Sequence, residues 1–119
     1  MTKKQKTTDK EFAETAAKIA IELNCTDVAV FDLRDISPAT NFFVIATGTS
    51  DRQGRTVADE ISAVGKKSDF PLFGRAGYNT GKWILLDFVE VVVHIFSAEY
   101  RDYYNLDMLW GDAKKLKID

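Results

Sequence analysis

Among 119 residues there is one cysteine, Cys25, one histidine, His94, and two prolines. A lone cysteine excludes an internal disulfide and any multi-cysteine zinc site, and a lone histidine removes most histidine-based metal centres. No metal and no cofactor is expected. Long apolar runs are also missing. The greasiest stretch, Trp83 to Phe96, is interrupted by Asp87, Glu90 and His94, so it cannot cross the roughly 30 Å hydrocarbon core of a bilayer as a helix. Lys3, Lys4, Lys6 and Lys10 are followed by polar residues where an export signal needs an apolar stretch. The expectation is a soluble cytoplasmic protein that meets no membrane.

Neither sign of charge dominates: 16 Lys and Arg face 18 Asp and Glu, a net of −2. Residues 1–10 hold four lysines against one aspartate, and residues 112–119 three lysines against two aspartates, which leaves −6 on the body from Glu11 to Gly111. Nucleic-acid binders usually carry a basic face on their folded part. An acidic body suits a basic protein surface better than a phosphate backbone, so no direct nucleic-acid readout is expected.

What is present suffices for one folded domain. Hydrophobic residues at 45% and charged residues at 29% describe an ordinary globular chain. The whole of 1–119 is expected to be a single domain, folded over 8–113 and flanked by flexible polar tails at 1–7 and 114–119. Thr8-Asp9-Lys10-Glu11 has the form of a capping box, in which threonine and glutamate each satisfy an orphan backbone N–H. Phe12, Ala16, Ile19, Ala20 and Leu23 then recur at helical spacing, with Asn24 as the stop. Val28 to Leu33 is short and β-branched, and Phe42 to Thr47 is nearly continuous apolar, so both read as strands. Ser50-Asp51-Arg52-Gln53 predicts a second capping box, followed by a stripe of Val57, Ala58, Ile61 and Val64. Phe70 to Tyr78, with Pro71, Gly74 and Gly77, is a loop holding at most a short strand, and Tyr100 to Trp110 reads as one or two short helices with Leu106, Leu109 and Trp110 packing back. The order α-β-β-α-(β)-β-β-α predicts an α/β fold, a mixed β-sheet with helices mainly on one face.

The segment from Trp83 to Phe96 is the informative one. With Val89-Glu90 as a two-residue turn, Phe88 pairs with Val91 and the register fixes both faces. One face carries Ile84, Leu86, Phe88, Val91, Val93 and Ile95, all apolar; the other carries Trp83, Leu85, Asp87, Val92, His94 and Phe96. Two readings of the mixed face stand side by side. Either another helix covers it, with Asp87 and His94 satisfying each other, or it is a docking surface left open with Trp83 and Phe96 as anchors. Three helices hardly cover both faces of a sheet, which favours the open surface.

Catalytic chemistry finds few candidates. Gly48-Thr49-Ser50 between a strand and a helix has the form of an anion-binding turn and is similar to the Gly-Ser turn of nucleotidyltransferases. Those enzymes hold Mg²⁺ with paired carboxylates on neighbouring strands. Here Asp32 is followed by Arg34 two residues on, and Asp59 and Glu60 are adjacent on a helix, pointing apart. Cys25 lies at a helix end as filler, and the tyrosines 100, 103 and 104 beside Arg101 suit helix packing better than base stacking. No catalytic residue is assigned.

ATGTSDRQ (Ala46 to Gln53), VADEI (Val57 to Ile61), WILLDF (Trp83 to Phe88), VVVHIF (Val91 to Phe96) and YRDYYNLDMLWGDA (Tyr100 to Ala113) follow one another at a specific spacing. With these motifs the chain resembles the ribosome silencing factor family, also called Iojap-like proteins, over residues 8 to 113. The resemblance implies a non-enzymatic factor of bacteria and organelles, with the bacterial cytoplasm expected here. It implies binding to the large ribosomal subunit through its fourteenth-numbered protein, steric blocking of small-subunit joining, and so repression of translation. It implies a fold related to nucleotidyltransferases but without their catalytic carboxylates. Partner-binding residues by this resemblance are Trp83, Leu85 and Asp87, with His94 and Phe96 adjacent and Tyr78 added to the set. The same face is expected to pair two copies when no ribosome is present. The alternative is a nucleotide-binding or nucleotidyl-transferring enzyme that uses Gly48-Thr49-Ser50. The chain departs from the family pattern at Asn41, usually acidic, at Ala76-Gly77, usually Glu-Gly, and at Val89-Glu90, usually Gly-Asp; a valine is awkward at the turn if that position needs positive φ.

Overall fold

Thr8 opens the first helix as its spacing predicts. Its hydroxyl accepts from the Glu11 amide at 3.1 Å, the Glu11 carboxylate accepts from the Thr8 amide at 2.9 Å, and α1 runs Asp9–Glu22. It stops at Asn24, whose φ of 74° lies in the left-handed region that asparagine tolerates. The computed structural model describes residues 7–109 and 113–118. α2 spans Asp51–Lys67, with Ser50 Oγ accepting from the Gln53 amide at 3.0 Å. Only half of the expected box forms there. Gln53 Oε1 accepts from the Thr49 amide at 2.8 Å while its Nε2 donates to the Leu23 carbonyl, so the two-ended amide ties the start of α2 to the end of α1.

Six strands form one mixed sheet: β1 (Thr26–Asp32), β2 (Phe42–Thr47), β3 (Gly74–Ala76), β4 (Trp83–Asp87), β5 (Val91–Phe96) and β6 (Lys114–Leu116), in the order β3-β4-β5-β2-β1-β6. β2 and β5 run parallel, joined by a connection that includes α2; the other pairs are antiparallel. The fold class is the expected mixed α/β sheet. One boundary is corrected: the polar tail expected at 114–119 contains β6, paired to β1 through Lys114 opposite Asp32 and Leu116 opposite Val30. Three residues rich in lysine give no period to read, and lysine suits an edge strand. The other tail, apart from Thr7, lies outside the described residues.

The hairpin has the predicted register, with Trp83 opposite Phe96, Leu85 opposite His94 and Asp87 opposite Val92. Its turn is unusual. Val89 has φ 74°, and the Glu90 amide donates to the Phe88 carbonyl at 3.0 Å, a tight γ-turn centred on a β-branched residue. Asp87 Oδ1 accepts from the Val89 amide at 2.7 Å and holds the turn. Before β4, Gly77 sits at φ 76°, where a Cβ would lie 1.9 Å from the Trp83 carbonyl oxygen. No other residue fits there.

α1 and α2 cover one face of the sheet. Phe12, Ala16, Val57 and Ile61 bury the aliphatic side of the hairpin, Ile84, Leu86, Val93 and Ile95 among it. Against the other face lie α3 (Ala98–Tyr104) and α4 (Leu106–Leu109), packed through Tyr100 and Leu106 onto Phe31, Leu33, Ile45 and Phe96. Leu106 packs back as predicted; the Leu109 side chain and Trp110 lie outside the described residues. Among the described residues no helix is long and apolar enough to cross a membrane.

Candidate functional site

The strand registers place the mixed face in rows. Because β2, β4 and β5 are neighbours in register, Trp83, Phe96 and Thr47 form one row, Leu85, His94 and Ile45 the next, and Asp87, Val92 and Phe43 a third. α3 and α4 lie over one end of these rows, against Phe31, Ile45 and Phe96, with Tyr104 on the Trp83 ring. Towards β3 the face stays open as a groove of about 620 Å³, floored by Phe43, Leu85, Val92 and His94. Phe73 (77% exposed), Val89 (48% exposed) and the loop 37–40 form its walls. Asp87 is the one charged side chain in the lining.

The row of Trp83 is rigidly built. Its ring lies 4.9 Å from Phe96 and 4.7 Å from Tyr104, and its Nε1 donates to His94 Nδ1 at 3.1 Å. Phe43 meets the other side of the His94 ring edge-on at 4.7 Å. Enclosed in this way, His94 is 4% exposed, and burial pushes its pKa down to about 4 from 6.5, so the ring is neutral near pH 7. Two buried polar atoms on residues that line the groove have no hydrogen-bond partner among the described residues: His94 Nε2 and Thr40 Oγ1.

Several expected arrangements are corrected. Asp87 and His94 do not satisfy each other: Asp87 bonds the Val89 amide and His94 bonds Trp83. Phe96 is 1% exposed, buried under Trp83 and Tyr100, so it supports the surface rather than standing out as an anchor. Tyr78 belongs to the opposite face. Its hydroxyl donates to Asp59 Oδ2 at 2.9 Å on α2, and the Arg75 guanidinium stacks over its ring at 4.0 Å. Trp83, Leu85, Asp87 and His94 are brought together as expected. Sequence reasoning missed Phe43, Phe73, Val89 and Thr40. Phe43 was hidden in a continuous apolar run, and the others lie on loops where no periodicity marks a face.

Among the described residues, groups that the nucleotide-binding alternative would use have other partners. The amide of Thr49 in the Gly48-Thr49-Ser50 turn is taken by Gln53. The Asp32 carboxylate is gripped by Arg34 at 2.7 and 3.0 Å, which holds its pKa below the usual carboxylate value. Cys25 is buried, and desolvation pushes its thiol up to about 11, which makes it a poor nucleophile. A second cleft of about 700 Å³ lies between β1 and α3. It is lined by polar groups, and Arg101 reaches across to Thr47 Oγ1 at 3.0 Å and to the Asp27 carbonyl. Val28 and Ala98 are the apolar residues in its lining, so it offers little apolar surface for docking.

Residues 6–119 match the family model described as ribosomal silencing factor during starvation. The chain is 41% identical over 89 residues to the ribosomal silencing factor RsfS of Haemophilus influenzae, covering 75% of this chain and 87% of that protein. It is 33% identical over 110 residues to the RsfS of Bacillus subtilis, covering 92% of this chain and 93% of that protein. Among solved structures it is similar to protein CV0518 of Chromobacterium violaceum, with a TM-score of 0.83 and 27% identity over 93% of this chain and 92% of that one.

Proposed function

The chain belongs to the ribosomal silencing factor family, and on that premise we propose that it silences ribosomes sterically, as a wedge on the large subunit. It docks on the subunit's fourteenth-numbered protein, occupies the space needed for contact with the small subunit, and represses translation without turnover or cofactor. The observation that carries this reading is the open apolar groove of Phe43, Leu85 and Val92 beside the Trp83 ring, on a sheet whose other face is sealed by α1 and α2. Exposed aromatic and aliphatic groups of this kind mark interaction sites. The −6 charge of the body favours a basic ribosomal protein as the partner. Trp83, Leu85, Asp87, Phe43, Phe73 and Val89 make the contact, with His94 and Phe96 fixing the Trp83 ring from below.

Bacterial relatives support a site of action in the bacterial cytoplasm. The same groove pairs two copies when no ribosome is present; a concentration-independent monomer in analytical ultracentrifugation contradicts that. Sucrose-gradient sedimentation with purified subunits tests the main reading. The factor is expected to travel with large subunits and to lower the yield of intact particles when small subunits are added. A factor that stays at the top of the gradient, or leaves particle yield unchanged, overturns it.

A further inference from the structure

The floor of the groove is not uniformly apolar. Thr40 is 6% exposed and His94 4% exposed; both residues line the groove, and the buried atoms Thr40 Oγ1 and His94 Nε2 lack a hydrogen-bond partner among the described residues. A buried polar atom without a partner costs stability, so a fold that keeps two of them on residues of one groove leaves them available to something that inserts there.

The bonding around His94 fixes what each atom offers. An indole N–H can only donate, so His94 Nδ1, 3.1 Å from Trp83 Nε1, must be the acceptor. The proton of the neutral ring is therefore on Nε2, a buried donor without an acceptor on a residue that lines the groove. The Thr40 hydroxyl can donate or accept. A cation is a poor match, because it would face the Nε2–H. Reversing the tautomer to accept it would cost the Trp83 bond. An anion is equally poor, because no cationic side chain lines the groove and Asp87 does. The surrounding surface from Phe43, Leu85, Val89 and Val92 requires an apolar stem.

From this geometry we propose that Thr40 and His94 form a polar seat within the docking groove that receives one uncharged donor–acceptor side chain, a hydroxyl or carboxamide, inserted by the ribosomal-protein partner. This rests on the docking reading above. The inserted group accepts from His94 Nε2–H and shares a hydrogen bond with Thr40 Oγ1. The seat therefore selects its partner by hydrogen bonding, while the surrounding apolar wall supplies area. It also predicts effects of opposite sign on folding and on binding. Thr40→Val removes a buried orphan hydroxyl at nearly constant shape, so the free protein should melt at the same or a higher temperature. The docked partner would then lose its hydrogen bond, so binding should weaken.

The test is a titration of purified large subunits with wild type, Thr40→Val and His94→Phe, each first checked for folding by thermal melting. Each variant is expected to bind about tenfold more weakly, the loss of one buried hydrogen bond. His94→Phe also breaks the Trp83 bond, so Thr40→Val decides: a merely structural role for Thr40 would lower the melting temperature and leave the affinity of the folded fraction unchanged, and that outcome overturns the proposal. So does weakening by His94→Phe alone, which points to a lone acceptor such as a main-chain carbonyl. A map of the complex with a charged group or no polar group at Nε2 overturns it as well. Should wild type itself fail to bind large subunits, the docking reading falls and takes this seat with it. Binding by all three proteins at equal strength removes the seat and leaves docking standing.

Discussion

Acid should loosen this fold through a single ring. Burial holds the His94 pKa at about 4, against 6.5 for an ordinary histidine. Between these values the unfolded chain binds a proton that the folded chain does not, so stability rises with pH across the window and is lost as pH falls through it. The full shift corresponds to about 3 kcal/mol at roughly 1.4 kcal/mol per pH unit, and about 2 kcal/mol of it is already gone at pH 5. Asp32, held low by Arg34, stabilises the fold above its ordinary value of 3.8 and loses that effect only below it. Urea denaturation at pH 7.5 and pH 5 should thus differ by about 2 kcal/mol, a midpoint lower by roughly 1 M for a domain of this size. His94→Gln cannot titrate, yet its side-chain oxygen can still accept from Trp83 Nε1, so its stability should be nearly flat over the same interval. Equal losses in wild type and His94→Gln, or a flat wild type, would refute the assignment of His94 as a buried neutral ring.

Trp83→Ala should weaken large-subunit binding by at least about 2 kcal/mol, read by co-sedimentation at graded factor concentrations; a folded variant with unchanged affinity removes Trp83 from the contact surface. Val89→Gly relieves a β-branched residue held at φ 74° and should raise unfolding stability by about 1 kcal/mol or more in thermal denaturation. An unchanged or lower stability argues against strain in the turn. Asn41 Nδ2 donates to Asp9 Oδ2 at 2.8 Å and to Glu90 Oε2 at 3.0 Å, so Asn41→Asp sets a third carboxylate against two. It should cost about 1 kcal/mol at pH 7 in urea denaturation. A variant as stable as wild type at pH 7 counts against that bridge.

Much of this molecule was legible as pattern. The capping box at Thr8, the stop at Asn24 and the hairpin register needed only local spacing. The division of Trp83 to Phe96 into an aliphatic and a mixed face followed from strand alternation alone. Other features depended on partners far away in the chain. Gln53 satisfied the spacing of a capping box but had a better use in bridging α1 and α2. Tyr78 sits near the hairpin in sequence, yet the turn at Gly77 sends it to the helix-covered face, where Asp59 takes its hydroxyl. β6 had no readable period because three edge residues carry too few side chains to show one.

The amino-acid order by itself determined the elements and the two sides of the hairpin, since helix and strand periods are properties of neighbouring residues. Which part of the mixed side meets solvent was decided only in three dimensions. α3 and α4 cover Phe96 and Ile45 but stop short of Leu85 and Val92, and the loop 37–40 brings Thr40 to the groove that His94 lines. Burial is a sum over elements distant in sequence, so no local pattern can report it.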